Sequence, residues 1–160
     1  MQRGVRLVTI IGPPGVGKTR LALQAAEELQ DQFAAGVVFV DLAPLANEEQ
    51  VVPAFAEALG LGDLSASSRV SALQSALRRK NMLLVFDNFE HVIGAAPQLV
   101  SVLGGSLKSK ALATSREILR IAGEHEYALP PLPLPTSPPA CGADAGWLAA
   151  SQMTSHVWGG

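Results

Sequence analysis

The chain has 160 residues, a length that fits one domain with or without a tail. Apolar residues make up 48%, enough for a core, while the twelve Lys and Arg are scattered and the formal net charge is −2. That pattern argues against a strong sequence-independent nucleic-acid surface, which needs a concentrated basic footprint. Cys141 is the single cysteine, so no internal disulfide forms and a cysteine-based metal site is disfavoured. No run approaches the ~18 apolar residues of a membrane span, and Met1–Val8 lacks the features of a signal peptide. A cytoplasmic protein without membrane contact is expected.

Leu7–Ile11 is a short β-branched run stopped by Gly12-Pro13-Pro14-Gly15, which reads as a buried strand running into a glycine-rich turn. From Lys18 to about Phe33, Leu21, Ala25, Leu29 and Phe33 recur three or four apart, predicting a helix that stops at Gly36. Val37–Leu42 predicts a second strand, so the segment forms a βαβ unit with a right-handed crossover. Asn47-Glu48-Glu49 resembles a helix start, with Val51, Val52, Phe55, Ala58 and Leu59 as its apolar face; Pro53 is tolerable only near the first turn. Ser67 or Ser68 is expected to cap the next helix, through Val70, Leu73 and Leu77. There Arg78-Arg79-Lys80 would complement the dipole of the last turn.

Met82–Asp87 is an apolar run closing on a carboxylate, the form of a fully buried strand. A helix is expected from about His91 to Leu103, interrupted in composition by Pro97. Lys110–Thr114 predicts a fourth strand and Tyr127–Leu129 a fifth. Strands alternating with helices mean an α/β domain with a mainly parallel sheet. Composition changes at Pro130: the Leu-Pro run 130–135 favours extended or polyproline conformation. Residues 136–160, with the isolated Trp147 and Trp158, lack periodicity and are expected to form a poorly ordered tail. The expected division is therefore 1–135 and 136–160.

Gly12-Pro13-Pro14-Gly15-Val16-Gly17-Lys18-Thr19 fills the G-x-x-x-x-G-K-[ST] template at every fixed position. Phosphates must lie against bare backbone N–H groups, so glycines keep side chains out and permit positive φ. Those groups merge with the N-terminus of the following helix, itself an anion site. Lys18 would reach the β- and γ-phosphates, and Thr19 would place its hydroxyl on Mg²⁺. Asp87, ending a buried strand, suits the metal-side carboxylate of a P-loop NTPase; the alternative is an Asp capping the next turn.

Asn88 follows, and its amide is a poor general base. Glu90 is the nearest carboxylate that could orient or deprotonate water, or else it is a solvated acid in a first turn. Ala113-Thr114-Ser115-Arg116 puts polar groups and the Arg116 cation at the carboxyl end of a strand, the end that faces the ligand in open α/β sheets. There Arg116 could sense a γ-phosphate with its planar fork, or pair at the surface with Glu117 or another acid. His91 and His125 lack metal-ligand spacing, and Cys141 has no base partner.

These residues together resemble the nucleotide-binding domain of the STAND-class signalling ATPases, akin to NB-ARC domains. The resemblance is strongest to the bacterial group found in LuxR-type and AfsR-type transcriptional regulators. It rests on GPPGVGKTR (12–20), VFVDLAPL (38–45), LLVFDNFEH (83–91) and ATSREILRIAGEHEYALPPLPL (113–134), and covers roughly the first 135 residues. It implies a three-layer fold with sheet order 5-1-4-3-2, Asp87 as the Walker B acid and Arg116 as the sensor arginine. It places the nucleotide on Gly12 to Thr19 with Arg20 beside it.

The resemblance also implies a switch that holds ADP at rest, exchanges it for ATP and oligomerises. Full members continue into a helical lid, a winged helix, helical repeats and often a DNA-binding helix-turn-helix, to which 136–160 does not align. The expectation is an ATP/ADP switch module with slow Mg²⁺-dependent hydrolysis at most. Its partners would be nucleotide and either regulatory domains or a second copy, with no direct DNA contact by this chain. The alternative is a non-catalytic interaction module with weak or no turnover.

Overall fold

A computed structural model describes residues 6–62 and 65–130. The proline-rich segment beyond Pro130, the expected tail, Cys141 and both tryptophans lie outside the described residues. Five strands, β1 (Leu7–Ile11), β2 (Val37–Asp41), β3 (Leu83–Asp87), β4 (Lys110–Ser115) and β5 (Glu124–Ala128), form one sheet. The order is β2-β3-β4-β1-β5, which is 5-1-4-3-2 from the other edge. Every pairing is parallel, so the sheet is wholly rather than mainly parallel.

Strand alternation divides the sheet into two faces. Val8, Ile10, Leu83, Val85 and Leu112 point to one face, where α1 (Lys18–Leu29) covers them with Leu21, Ala22, Ala25, Ala26 and Leu29. Leu7, Leu84, Phe86, Ala111 and Ala113 point to the other. Three helices cover that side: α2 (Val51–Ala58), α3 (Ala66–Leu77) and α4 (Ala96–Gly104). Phe86 anchors this larger core, edge-on to Phe55 at 5.1 Å and to Phe89 at 6.2 Å between ring centroids. The Arg6 guanidinium donates to the carbonyls of Leu103 and Ser106, placing a cation at the C-terminal end of α4. The result is the expected three-layer α/β arrangement.

Several boundaries differ from the sequence expectation for identifiable reasons. α1 stops at Leu29, and a 3-10 turn at Gln30–Gln32 tightens its end before Phe33. β2 ends at Asp41, one residue early, because the Asp41 carboxylate turns to accept the Ala43 N–H at 2.9 Å. Asn47 opens a 3-10 turn at Glu48–Gln50, and α2 begins only at Val51, which leaves Pro53 in its first turn. The N-cap of α3 is Ser65, not Ser67 or Ser68, whose hydroxyls instead gather on Ser65 Oγ at 3.3 and 2.8 Å.

The helix expected from His91 is two 3-10 turns, Phe89–His91 and Ile93–Ala95, followed by α4. Pro97 sits at the second position of α4, where its missing N–H costs nothing. β5 begins at Glu124, earlier than expected, because an edge strand is held by backbone pairing to β1 and needs no apolar side chains at Glu124, His125 and Glu126.

Candidate functional site

The site lies at the carboxyl ends of β1, β3 and β4, where the alternation that builds the core also chooses its polar groups. Asp87 continues the series Leu83, Val85 on the α1 face, and Thr114 continues Leu112 on the same face. Both therefore point toward Thr19 on the first turn of α1. The Thr19 hydroxyl contacts Asp87 Oδ1 at 2.9 Å and Oδ2 at 3.0 Å. Thr114 Oγ1 donates to Asp87 Oδ1, and Asn88 Nδ2 donates to Asp87 Oδ2 at 3.2 Å. The carboxylate is buried and held on both oxygens.

The loop between β1 and α1 has the shape its sequence requires. Gly15 has φ 78° and Gly17 φ 93°, left-handed conformations that disfavour a Cβ, and a Cβ at either would meet nothing within 4 Å. The loop is thus open on the side where these residues lack side chains. Gly12 is needed for a different reason: a Cβ there would lie 2.8 Å from the Leu129 carbonyl. Pro13 and Pro14 are exposed on the loop, while Val16 is buried beneath it. Gly17 caps α1 with no side-chain hydrogen bond, so the first turn has no side chain competing for an anion.

Lys18 is 8% exposed and donates its ammonium to the carbonyls of Gly12 at 2.9 Å and Pro13 at 3.1 Å. The cation is thereby held against the loop whose N–H groups would face a phosphate. Arg20 follows Thr19 and is exposed on α1.

A second cluster flanks the first. Asn88 adopts φ 62°, a left-handed conformation that Asn tolerates better than most residues, and this turns the chain sharply after Asp87. The Asn88 N–H then donates to Thr114 Oγ1 at 3.0 Å. The turn brings Glu90 to Arg116, whose Nε donates to Glu90 Oε1 at 3.0 Å. The acid that pairs with Arg116 is Glu90, not Glu117. His91 and His125 take no part, and no group of His, Cys, Asp and Glu able to hold a metal occurs among the described residues.

The sequence puts Thr114 at the ligand-facing end of a strand but gives it no partner, and it marks Asn88 only as a poor base, yet Thr114 donates to Asp87 and the Asn88 amide and αL backbone both serve that carboxylate. A carboxylate–hydroxyl pair beside a glycine-lined loop and a helix N-terminus provides hard oxygen donors and anion-binding N–H groups. That donor set suits a magnesium–phosphate ligand. Among the described residues no helix is long and apolar enough to cross a membrane.

Residues 2–130 match the AAA domain family. The chain is 43% identical over 128 residues to a Mycobacterium tuberculosis protein that carries the name HTH-type transcriptional regulator, covering 78% of this chain and 14% of that one. It is 32% identical over 132 residues to the regulatory protein AfsR of Streptomyces coelicolor, covering 77% of this chain and 13% of AfsR. The chain spans about 14% of the length of the Mycobacterium regulators it matches. Among solved structures it is similar to the ORC2 protein of Aeropyrum pernix, solved as ADPNP–ADP complexes, with a TM-score of 0.57 and 16% identity over 80% of this chain and 42% of that one. It is also similar to Cdc6p of Pyrobaculum aerophilum, with a TM-score of 0.55 and 20% identity over 69% of this chain and 32% of that one. The loop, the Asp87 strand, the sheet order and the family match agree: the chain belongs to the AAA domain family of P-loop NTPases.

Proposed function

We propose that this domain is an ATP/ADP-binding switch of the STAND class, built around Mg²⁺ and turning ATP over slowly at most. The observation that carries the reading is the Thr19–Asp87 pair set directly beside a loop that already holds Lys18. In this reading the backbone from Gly12 to Thr19 cradles the phosphates, with Arg20 at its edge. Lys18 exchanges the Gly12 and Pro13 carbonyls for phosphate oxygens. Thr19 and Asp87 hold Mg²⁺, which when bound neutralises phosphate charge. Thr114 and Asn88 keep the Asp87 carboxylate aimed at Thr19. Glu90 orients water, and Arg116 contacts the terminal phosphate.

The regulators named above support a signalling role; in this reading the protein acts in the cytoplasm, with residues 1–135 as the nucleotide-binding unit and 136–160 outside it. Further domains or a second copy of the chain would be its partners, and DNA would be contacted by other parts of such regulators. A non-catalytic interaction module is the second reading, and one observation favours it: the position after Asp87 is an amide already committed to Asp87. Phosphate release from Mg²⁺-ATP by the purified chain, beside Lys18→Ala, separates the two. The switch reading expects slow release that Lys18→Ala abolishes. Release at the level of Lys18→Ala would leave the interaction module as the better account.

A further inference from the structure

The sheet ends in β2 on one side and β5 on the other, and the two edges are not alike. β5 carries Glu126, an exposed charge, at its middle position, the kind of residue that keeps an edge from pairing with another chain. β2 reads Val37-Val38-Phe39-Val40-Asp41, with no charge before its last residue, no proline and no break in its register. The Leu83 N–H donates to Gly36 O at 3.1 Å and the Leu42 N–H to Asp87 O at 3.0 Å, so the even-numbered residues of β2 bond to β3. The N–H and C=O groups of Val37, Phe39 and Asp41 therefore point outward, and none of them is hydrogen-bonded among the described residues.

An apolar patch lies beside that edge. Phe39 is 40% and Leu23 44% exposed. Single exposed side chains of this kind are ordinary, but these two share one place. Phe39 is in register with Val85, which points to the α1 face, so Phe39 points there too. Thr19 touches Asp87, which sets that flank of α1 over the end of β3, and α1 runs back against the strands. Leu23 follows Thr19 on the same flank, about 6 Å along the helix. Val85 precedes Asp87 by about 6.6 Å along the strand. Leu23 and Phe39 thus sit at one level on one side of the sheet. The α1 layer buries residues of β1, β3 and β4, and from β2 only the half-buried Val37 reaches it.

We propose that this edge binds a second copy of the chain, with β2 pairing antiparallel to β2 about a two-fold axis at Phe39. The three outward residues are evenly spaced about Phe39, so the edge is complementary to itself. Val37 of each copy faces Asp41 of the other, Phe39 faces Phe39, and each outward N–H meets a C=O. Opposed residues share a face of the sheet, so both phenyl rings and both Leu23 side chains gather on the α1 side.

Charge permits the pairing. The Asp41 carboxylate lies across from an uncharged valine and already accepts the Ala43 N–H at 2.9 Å. The two Asp41 residues stand at opposite ends of the paired segment, about 13 Å apart, beyond the ~8 Å Debye length of physiological salt. A single short strand pair is a small contact beside the ~800 Å² per partner of a stable dimer, so the dissociation constant is expected on the order of 100 µM. The surface uses neither the loop from Gly12 to Thr19 nor Asp87, and the pairing needs no nucleotide.

Sedimentation velocity of the full chain without nucleotide, from roughly 5 to 500 µM so as to bracket that constant, should show a monomer–dimer equilibrium. Phe39→Lys sets like charges against each other at the axis and should weaken association at least about 10-fold. Phe39→Glu should do the same. Mixed in equal amounts, the two variants should associate again, because the axis places position 39 opposite itself. Amide hydrogen exchange by NMR gives a second readout. As concentration rises, the amides of Val37, Phe39 and Asp41 should gain protection, while those of Val38 and Val40 stay as they are.

A wild type that is monomeric throughout the range overturns the proposal, as does a dimer that Phe39→Lys leaves intact. A mixture that associates no better than either variant alone overturns the axis at Phe39. Protection that appears elsewhere and not on the odd-numbered residues of β2 assigns the contact to another surface and overturns this one. Failure to bind nucleotide bears on none of these readouts.

Discussion

Replacing Thr114 by valine tests whether the structure has identified what holds Asp87. Thr114 is 1% exposed, and valine preserves its branched shape, so no cavity opens. What disappears is one hydroxyl with two functions: it donates to Asp87 Oδ1 and accepts the Asn88 N–H at 3.0 Å. A hydrogen bond to a charged group is worth about 1.5–3 kcal/mol, and an orphaned buried N–H costs a further ~1–3 kcal/mol. The two losses share one turn and are not fully additive, so a combined cost of roughly 2–5 kcal/mol is expected. Against a total stability of about 5–15 kcal/mol this is a large fraction. In equilibrium urea unfolding the midpoint should fall by roughly 1–3 M at an unchanged slope. Thr114→Ser keeps the hydroxyl and should lose only about 1 kcal/mol for the methyl group. A valine variant within ~0.5 kcal/mol of wild type, a change ordinary for neutral surface sites, would refute the assignment. So would a serine variant as damaged as the valine one.

Phe86→Ala should cost about 3–5 kcal/mol in the same assay, since Phe86 is fully buried and packed edge-on against both Phe55 and Phe89. A cost below half of that would mean the larger core closes over the gap. Gly17→Ala meets no atom but must hold φ 93°. It should lose about 1–3 kcal/mol of stability through strain and also lose nucleotide binding. Binding at the wild-type level would show that the loop does not need this conformation. Burial lowers the Lys110 ammonium below its ordinary pKa of 10.5. The unfolded chain therefore holds that proton more tightly, and Lys110 makes stability rise as pH climbs through its folded pKa toward 10.5. Lys110→Met should flatten that part of the stability–pH curve; an unchanged slope would contradict the burial argument.

The sequence was most informative where one segment carries its own reason. β1 and β3 are short, β-branched or apolar runs bounded by turn residues, the form of a buried strand, and the loop from Gly12 to Thr19 carries its chemistry in consecutive residues. Asp87 was legible because a charge at the end of such a strand needs a purpose. The start of α4 was obscured by Val92, Ile93 and Ala95, which keep an apolar pattern through 3-10 turns that periodicity reads as helix. β5 was obscured by Glu124, His125 and Glu126, since an edge strand is held by backbone bonds that leave no mark on composition. The roles of Thr114 and Asn88 stayed hidden because they depend on β3 and β4 being neighbours, and the pairing of Glu90 with Arg116 for the same reason. Contacts between strands distant in sequence are where pattern reading stopped.

The central claim is that the loop from Gly12 to Thr19, with Asp87, binds a magnesium nucleotide. Calorimetric titration of the wild-type chain with ADP and with ATP in the presence of Mg²⁺, beside a folded Lys18→Ala, tests it most directly. The account predicts saturable binding near one nucleotide per chain that Lys18→Ala abolishes and that weakens when Mg²⁺ is chelated. A folded wild type that takes up no heat of binding with either nucleotide would contradict it, as would binding indifferent to Lys18.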